Sequence, residues 1–151
     1  VRVALFLAML LAALASVAGA NTRTIVVSAP WSRPAIGTGV VYLTIANRSA
    51  TPDRLVGATS PIADAAEIHQ STEAMKSMSS MHGMAMGGVA SMHHVAFVSV
   101  PEHATVTFAP GGYHIMLIGL HHDLHANETF PLRLRFSRAG WVAVRVHVDR
   151  I

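Results

Sequence analysis

Cysteine is absent from the 151 residues, and that absence removes whole classes of chemistry. A disulfide scaffold, a thiolate zinc or iron-sulfur site, a cysteine nucleophile and a Cys-ligated blue-copper centre are all excluded. Charge is scarce too: 13% of residues are charged, with 11 Lys+Arg against 8 Asp+Glu. The formal charge of +3 is spread along the chain without a basic run, so a nucleic-acid partner is not expected. No long hydrophobic run is present, since the apolar stretch from Ala4 to Ala18 falls short of the roughly 20 residues that cross a bilayer. The length suits one domain. What the chain does hold in quantity is 10 His and 8 Met.

The amino end reads as an address. Val1-Arg2-Val3 is a short cationic start, Ala4 to Leu14 is apolar, and Ala18-Gly19-Ala20 supplies the small-x-small pattern of a signal peptidase site. Residues 1–20 are expected to be a cleaved signal peptide, with residues 21–151 as the mature domain in a bacterial periplasm.

From Asn21 onward, short segments of period two alternate with Pro, Gly, Asn and Ser. Leu132, Leu134 and Phe136 alternate with Arg133 and Arg135; Val142, Val144, Val146 and Val148 alternate with Ala143, Arg145 and His147. Each such strand buries one face, and residues 137–140 form the turn between them. Similar segments run over 24–27, 39–46, 54–59, 65–70, 94–100, 105–108 and 113–120. This spacing predicts a single all-β domain, an antiparallel β-sandwich. One stretch departs from it. Residues 71–91 are rich in Ser, Gly and Met and long for a connection inside a compact domain. They are expected to form a mobile loop that carries Met75, Met78, Met81, His82, Met84 and Met86 outward.

Pro110-Gly111-Gly112 reads as a turn leading into a strand that starts at Tyr113. Residues two apart on a strand share a face, so His114 and Met116 are presented together. His69 ends another strand after Ala65 and Glu67, and Met92 stands where the Met-rich loop rejoins the sheet. Thioether sulfur and neutral imidazole favour Cu(I) over hard cations. A thioether also cannot form a disulfide, which suits an oxidising compartment.

His69, Met92 and His114-x-Met116, within APGGYHIMLIGL and followed by ETFPLRLRFSRAGWVAVRVHV, resemble the periplasmic copper chaperone family PCuAC. The early segment APWSRPAIGTGVVYLTIAN is similar to that family's entry strands, with Trp31, Tyr42 and Asn47 at matching places. The resemblance covers nearly all of the mature chain. It implies a cupredoxin-like β-sandwich, a Cu(I) site of two His and two Met, here His69, Met92, His114 and Met116, and a role in supplying the binuclear copper centre of cytochrome c oxidase. The acceptor implied is that oxidase's subunit II or an assembly factor for it. The family places ten residues between its first His and first Met; here residues 70–91 intervene, which is 22, so the loop reads as a twelve-residue insertion. Met84 or Met86 is therefore an alternative donor to Met92, and Met81, His82, Met84 and Met86 form a candidate second copper site.

The expected function is a non-catalytic, monomeric metallochaperone. Two other classes are weighed beside it. A copper buffering protein would use the Met-rich loop as its reservoir and take up several equivalents. A copper oxidoreductase would need a redox centre, yet there is no Cys for blue copper, and the expected mature terminus is Asn21 rather than the His of an amino-terminal brace. No carboxylate dyad, Ser/His/Asp order or phosphate-binding glycine loop emerges. His93, His94, His121, His122 and His125 are expected to be solvated, and His103 and His147 to be structural or solvent-facing.

Overall fold

The computed structural model describes residues 24–72 and 91–150. The expected signal peptide and the Met-rich residues Met81, His82, Met84 and Met86 lie outside them. Ten strands follow one another: β1 (Ile25–Ser32), β2 (Thr38–Asn47), β3 (Asp53–Thr59), β4 (Ala63–Thr72), β5 (Ser91–His94), β6 (Val98–Val100), β7 (Thr105–Phe108), β8 (Tyr113–Leu120), β9 (Thr129–Phe136) and β10 (Gly140–Val148). The described residues contain no helix, in keeping with the all-β expectation.

The strand order is β5-β4-β8-β2-β1-β10-β9-β3-β6, and a further β3–β4 pairing at Ala58 and Ala66 joins the sheet to itself. Seven strands thus close into a barrel, with β5, β6 and β7 attached to β4, β3 and β2. Closure removes the exposed edges that an open sheet would leave. The interior is set by alternation: Phe130, Leu132, Leu134 and Phe136 of β9 point inward and meet Val41, Leu43 and Ile45 of β2 and Ile115 and Leu117 of β8 in one buried cluster.

Two details differ from the sequence expectation. The segment 94–100 is not one strand: it breaks at residues 95–97, so that β5 pairs with β4 while β6 pairs with β3. Val98 and Val100 are buried in the core whereas His94 is exposed, and no straight strand serves both places. Also, β1 runs parallel to β10, through Trp31 opposite His147 and Ser32 opposite Val148. All other pairings are antiparallel. A bulge in β1 between Ser28 and Trp31, with Ala29 in the left-handed region at φ 46°, re-aims Trp31 against Tyr42.

Two buried polar side chains tie loops to the barrel. Asn47 donates from Nδ2 to the Thr51 and Val100 carbonyls and accepts the Ser49 amide and hydroxyl at Oδ1, which shapes the turn after β2. Asp53 gathers the β9–β10 turn: its Oδ1 accepts from the Arg54 amide (2.7 Å), the Arg138 amide (2.9 Å) and the Ser137 hydroxyl (3.1 Å), and its Oδ2 from the Ala139 amide (2.9 Å). Burial pushes this carboxyl's pKa up, but the Ala139, Arg54 and Arg138 amides and the Ser137 hydroxyl together outweigh it and hold the pKa below the ordinary 3.8. A depressed folded-state value means that the stabilisation is complete above the unfolded pKa and fades as pH falls through the folded one. Asp53→Asn should therefore lower stability to urea by about 2 kcal/mol at pH 7. The gap to wild type should narrow once pH drops below about 4; a gap that stays constant from pH 7 to pH 3 would contradict the assignment.

Candidate metal centre

The β4–β8 ladder sets the site. His69 stands directly opposite His114, and Glu67 opposite Met116. Directly opposed residues on antiparallel strands project from the same face. On the far side of β4, His94 stands opposite His69 and Met92 opposite Ser71. His69, Met92, His114 and Met116 therefore share one face of three neighbouring strands, with the imidazoles central and one methionine on each flank. The opposite face of β4 and β8 carries Ile68, Ile115 and Leu117 into the core.

Exposure grades across this face. His114 is 3% exposed, Met116 and His69 are half-buried, and Met92 is 61% exposed. Rings cover the innermost member on two sides. The His114 centroid lies 5.9 Å from that of His69 and 6.5 Å from that of Tyr42, and Tyr42 in turn lies 4.7 Å from Trp31. With His94 at 5.8 Å from His69, edge to face, the row crosses five strands from β5 to β1.

Hydrogen bonding fixes which nitrogens point where. The Pro110-Gly111-Gly112 turn closes through the Gly112 amide onto the Ala109 carbonyl, with Gly111 at φ 82°, where a side chain would be strained. The Gly112 carbonyl then accepts from the Ser71 amide at 3.0 Å and from His114 Nδ1 at 3.1 Å. A carbonyl only accepts, so Nδ1 carries the proton and Nε2 of the neutral ring holds a lone pair. That Nε2 is buried and has no hydrogen-bond partner among the described residues. On His69, Nε2 lies 3.0 Å from Glu67 Oε2, the imidazole–carboxylate pairing that commonly orients a metal-binding histidine. Nδ1 is the ring's other nitrogen.

An uncapped basic nitrogen in a buried place is costly unless something uses it. The same face carries a second imidazole and two thioethers, side chains that are soft, uncharged and of the kind Cu(I) favours. Among the described residues, no three His, Asp or Glu side chains are grouped so as to hold a metal ion.

The other histidines lie elsewhere. His93 stands opposite Gln70 and projects from the other face of β5. His121 pairs with Asp64 at 3.0 Å, with both side chains exposed, and it sits seven residues beyond His114, roughly 23 Å along an extended strand. His122, His125, His103 and His147 are exposed. Glu67 and His94 emerge at the site only in the structure. The Glu67-x-His69 spacing was the available signal for the first; the second depends on a pairing across 24 intervening residues, which no local pattern reveals.

The fold is that of a PCuAC-like β-barrel. The fold matches the copper-bound PCuAC domain from PmoF2 with a TM-score of 0.65 at 22% identity, over 85% of this chain and 94% of that one. It also matches the solution structure of CuI-DR1885 from Deinococcus radiodurans with a TM-score of 0.58 at 27% identity, over 86% and 83% of the two chains. A family model described as putative lipoprotein LpqE-like matches residues 25–148, and the chain belongs to this LpqE-like family. The putative lipoprotein Lxx21020 of Leifsonia xyli subsp. xyli (strain CTCB07) is 30% identical over 141 residues, 91% of this chain and 77% of that protein.

A histidine kept for packing would be missed on removal, whereas one with an uncapped buried nitrogen would not. The Gly112 carbonyl keeps the Ser71 amide when the imidazole is gone. His114→Leu should raise the urea stability of the metal-free protein by about 1 kcal/mol. A loss of about 2 kcal/mol instead would show that the ring is structural.

Proposed function

We propose that this chain is an exported, non-catalytic Cu(I) carrier, with His69, His114, Met116 and Met92 as its ligands. The carrying observation is the buried lone pair on His114 Nε2, beside His69 and on a face flanked by two methionines. Supporting it, two proteins of the same fold are described as copper-bound or as the Cu(I) form. Membership of a family of putative lipoproteins fits a protein of the cell envelope, and we place it in the periplasm after removal of residues 1–20.

The exposure gradient suits handover. His114 sits at the bottom of the face and Met92 at the solvent end, so an acceptor's sulfur or imidazole group reaches the Met92 side first. Thioethers are weak, uncharged ligands, and each can be replaced in turn while His114 still holds the ion. The acceptor in this reading is the binuclear copper centre of cytochrome c oxidase, through its subunit II or an assembly factor, met by a monomeric carrier. Residues 71–91 add a capture segment, with Met81, His82, Met84 and Met86 as a weaker second copper site.

Anaerobic Cu(I) titration against a competing chelator tests this. One tight equivalent is expected in wild type. His114→Ala should weaken it by roughly a hundred-fold, about 2.8 kcal/mol, and Met116→Ala by about tenfold, with the β-sheet circular dichroism unchanged. Affinities equal to wild type in both variants would refute the ligand set. Several equivalents of equal affinity, lost when residues 73–90 are deleted, would favour the buffering role instead.

A further inference from the structure

The hairpin of β9 and β10 turns one face to the core and leaves an outer face that the candidate metal centre does not touch. Strand alternation sends Arg133 and Arg135 of β9 outward with Trp141, Ala143, Arg145 and His147 of β10, all exposed. The register joins them: Trp141 stands opposite Arg135, Ala143 opposite Arg133 and Arg145 opposite Pro131. Beyond β9, Arg54 of β3 stands opposite Ser99 of β6, and its guanidinium lies 4.8 Å from the ring centroid of the exposed Phe97.

This face carries charge of one sign. The exposed positions of β3, β6, β9 and β10 hold Arg54, Arg133, Arg135 and Arg145 and no Asp or Glu. Every ion pair among the described residues is made by a histidine, so no carboxylate there neutralises these guanidinium groups. Arg145 reaches only a neutral hydroxyl, that of Thr129 at 3.3 Å. The adjoining carboxylates lie past the strand ends, where Asp149 stands 3.8 Å from His147 and Glu128 accepts from the His125 amide. At the centre is Trp141, 48% exposed, with the Arg133 and Arg135 guanidinium groups 4.8 and 5.9 Å from its ring centroid.

Arginine keeps its charge at physiological pH and matches phosphate oxygens with paired N–H donors. An exposed indole has an apolar body and one N–H, which suits the level of lipid headgroups. Protein surfaces ordinarily intersperse both signs of charge; a single-sign field around an indole is complementary to a uniform layer of phosphates. We propose that the outer face of β9 and β10, flanked by Arg54, docks this protein on an anionic phospholipid bilayer. The inference draws on the envelope location proposed above and is independent of the copper reading. Round the barrel, in the order β4-β8-β2-β1-β10-β9-β3, β9 and β10 lie across from β8, so a molecule docked this way keeps His114 and Met116 turned away from the bilayer.

The test is co-sedimentation of the metal-free protein, residues 21–151, with vesicles of phosphatidylglycerol and phosphatidylcholine, beside vesicles of phosphatidylcholine alone. Wild type should bind the anionic vesicles, release them at about 0.5 M salt through screening, and ignore the neutral ones. Binding should shift the indole emission to shorter wavelength, and the shift should be missing in Trp141→Phe. At roughly fivefold per arginine, Arg133→Gln with Arg135→Gln should weaken binding about thirtyfold. Arg33→Gln with Arg48→Gln removes the same charge from exposed loop positions and should stay within threefold of wild type. An equal loss in both double variants would overturn the inference, since net charge alone would then account for binding. Equal binding to neutral vesicles would overturn it too. So would no binding to anionic vesicles by a protein that binds soluble polyglutamate, which would assign the face to an acidic protein. None of these results bears on Cu(I) affinity, which is measured separately.

Discussion

The site depends on the register between β4 and β8. This ladder runs from Ala63 opposite Leu120 to Gln70 opposite Tyr113, and around the histidines Ile68, Ile115 and Leu117 face the core while His69, His114 and Met116 project from the other face. A slip of one residue would carry Ile68, Ile115 and Leu117 out of the core and His69, His114 and Met116 into it. Burying those three apolar side chains is worth roughly 1.5–3 kcal/mol each. The same hydrophobic gain that closes the barrel therefore holds two imidazoles opposite each other on its outside.

Against that rigid background, the surroundings of His114 are arranged to leave one nitrogen available. Its Nδ1 is bound by the Gly112 carbonyl, Tyr42 and His69 flank the ring, and Nε2 is left without a partner. Buried polar groups in folded proteins are nearly always satisfied, so an exception calls for a functional reason. Asp53 is the contrast within the same molecule. It is buried to a similar degree, yet four donors meet its carboxylate, and its role is to hold a turn. One polar group serves folding; the other imposes a stability penalty that binding of a soft ion would offset.

Much of this was legible from local pattern. The alternation in β9 and β10 announces itself because one face is apolar over a whole strand. His114-x-Met116 and Glu67-x-His69 are readable as same-face pairs because the strand period is two. What local pattern could not show is which strands lie side by side. The parallel β1–β10 pairing, the division of 94–100 into two strands and the opposition of His94 to His69 all arise from long-range packing. The near-complete burial of His114 is likewise a tertiary property, produced by rings from β2 and β4, and histidine's own chemistry gives no hint of it. Glu67, one of several scattered carboxylates in the sequence, acquires meaning only through its 3.0 Å approach to His69.

The central claim is that the lone pair on His114 Nε2 is the inner donor to the metal. Long-range proton–nitrogen NMR of the ¹⁵N-labelled protein follows that atom while one equivalent of Cu(I) is added without oxygen. The account predicts that the Nε2 signal moves in slow exchange to a ligated position while the Nδ1 proton bonded to the Gly112 carbonyl is retained. A His114 ring whose nitrogen signals stay where they were, in a protein that has nevertheless taken up the ion, would contradict it.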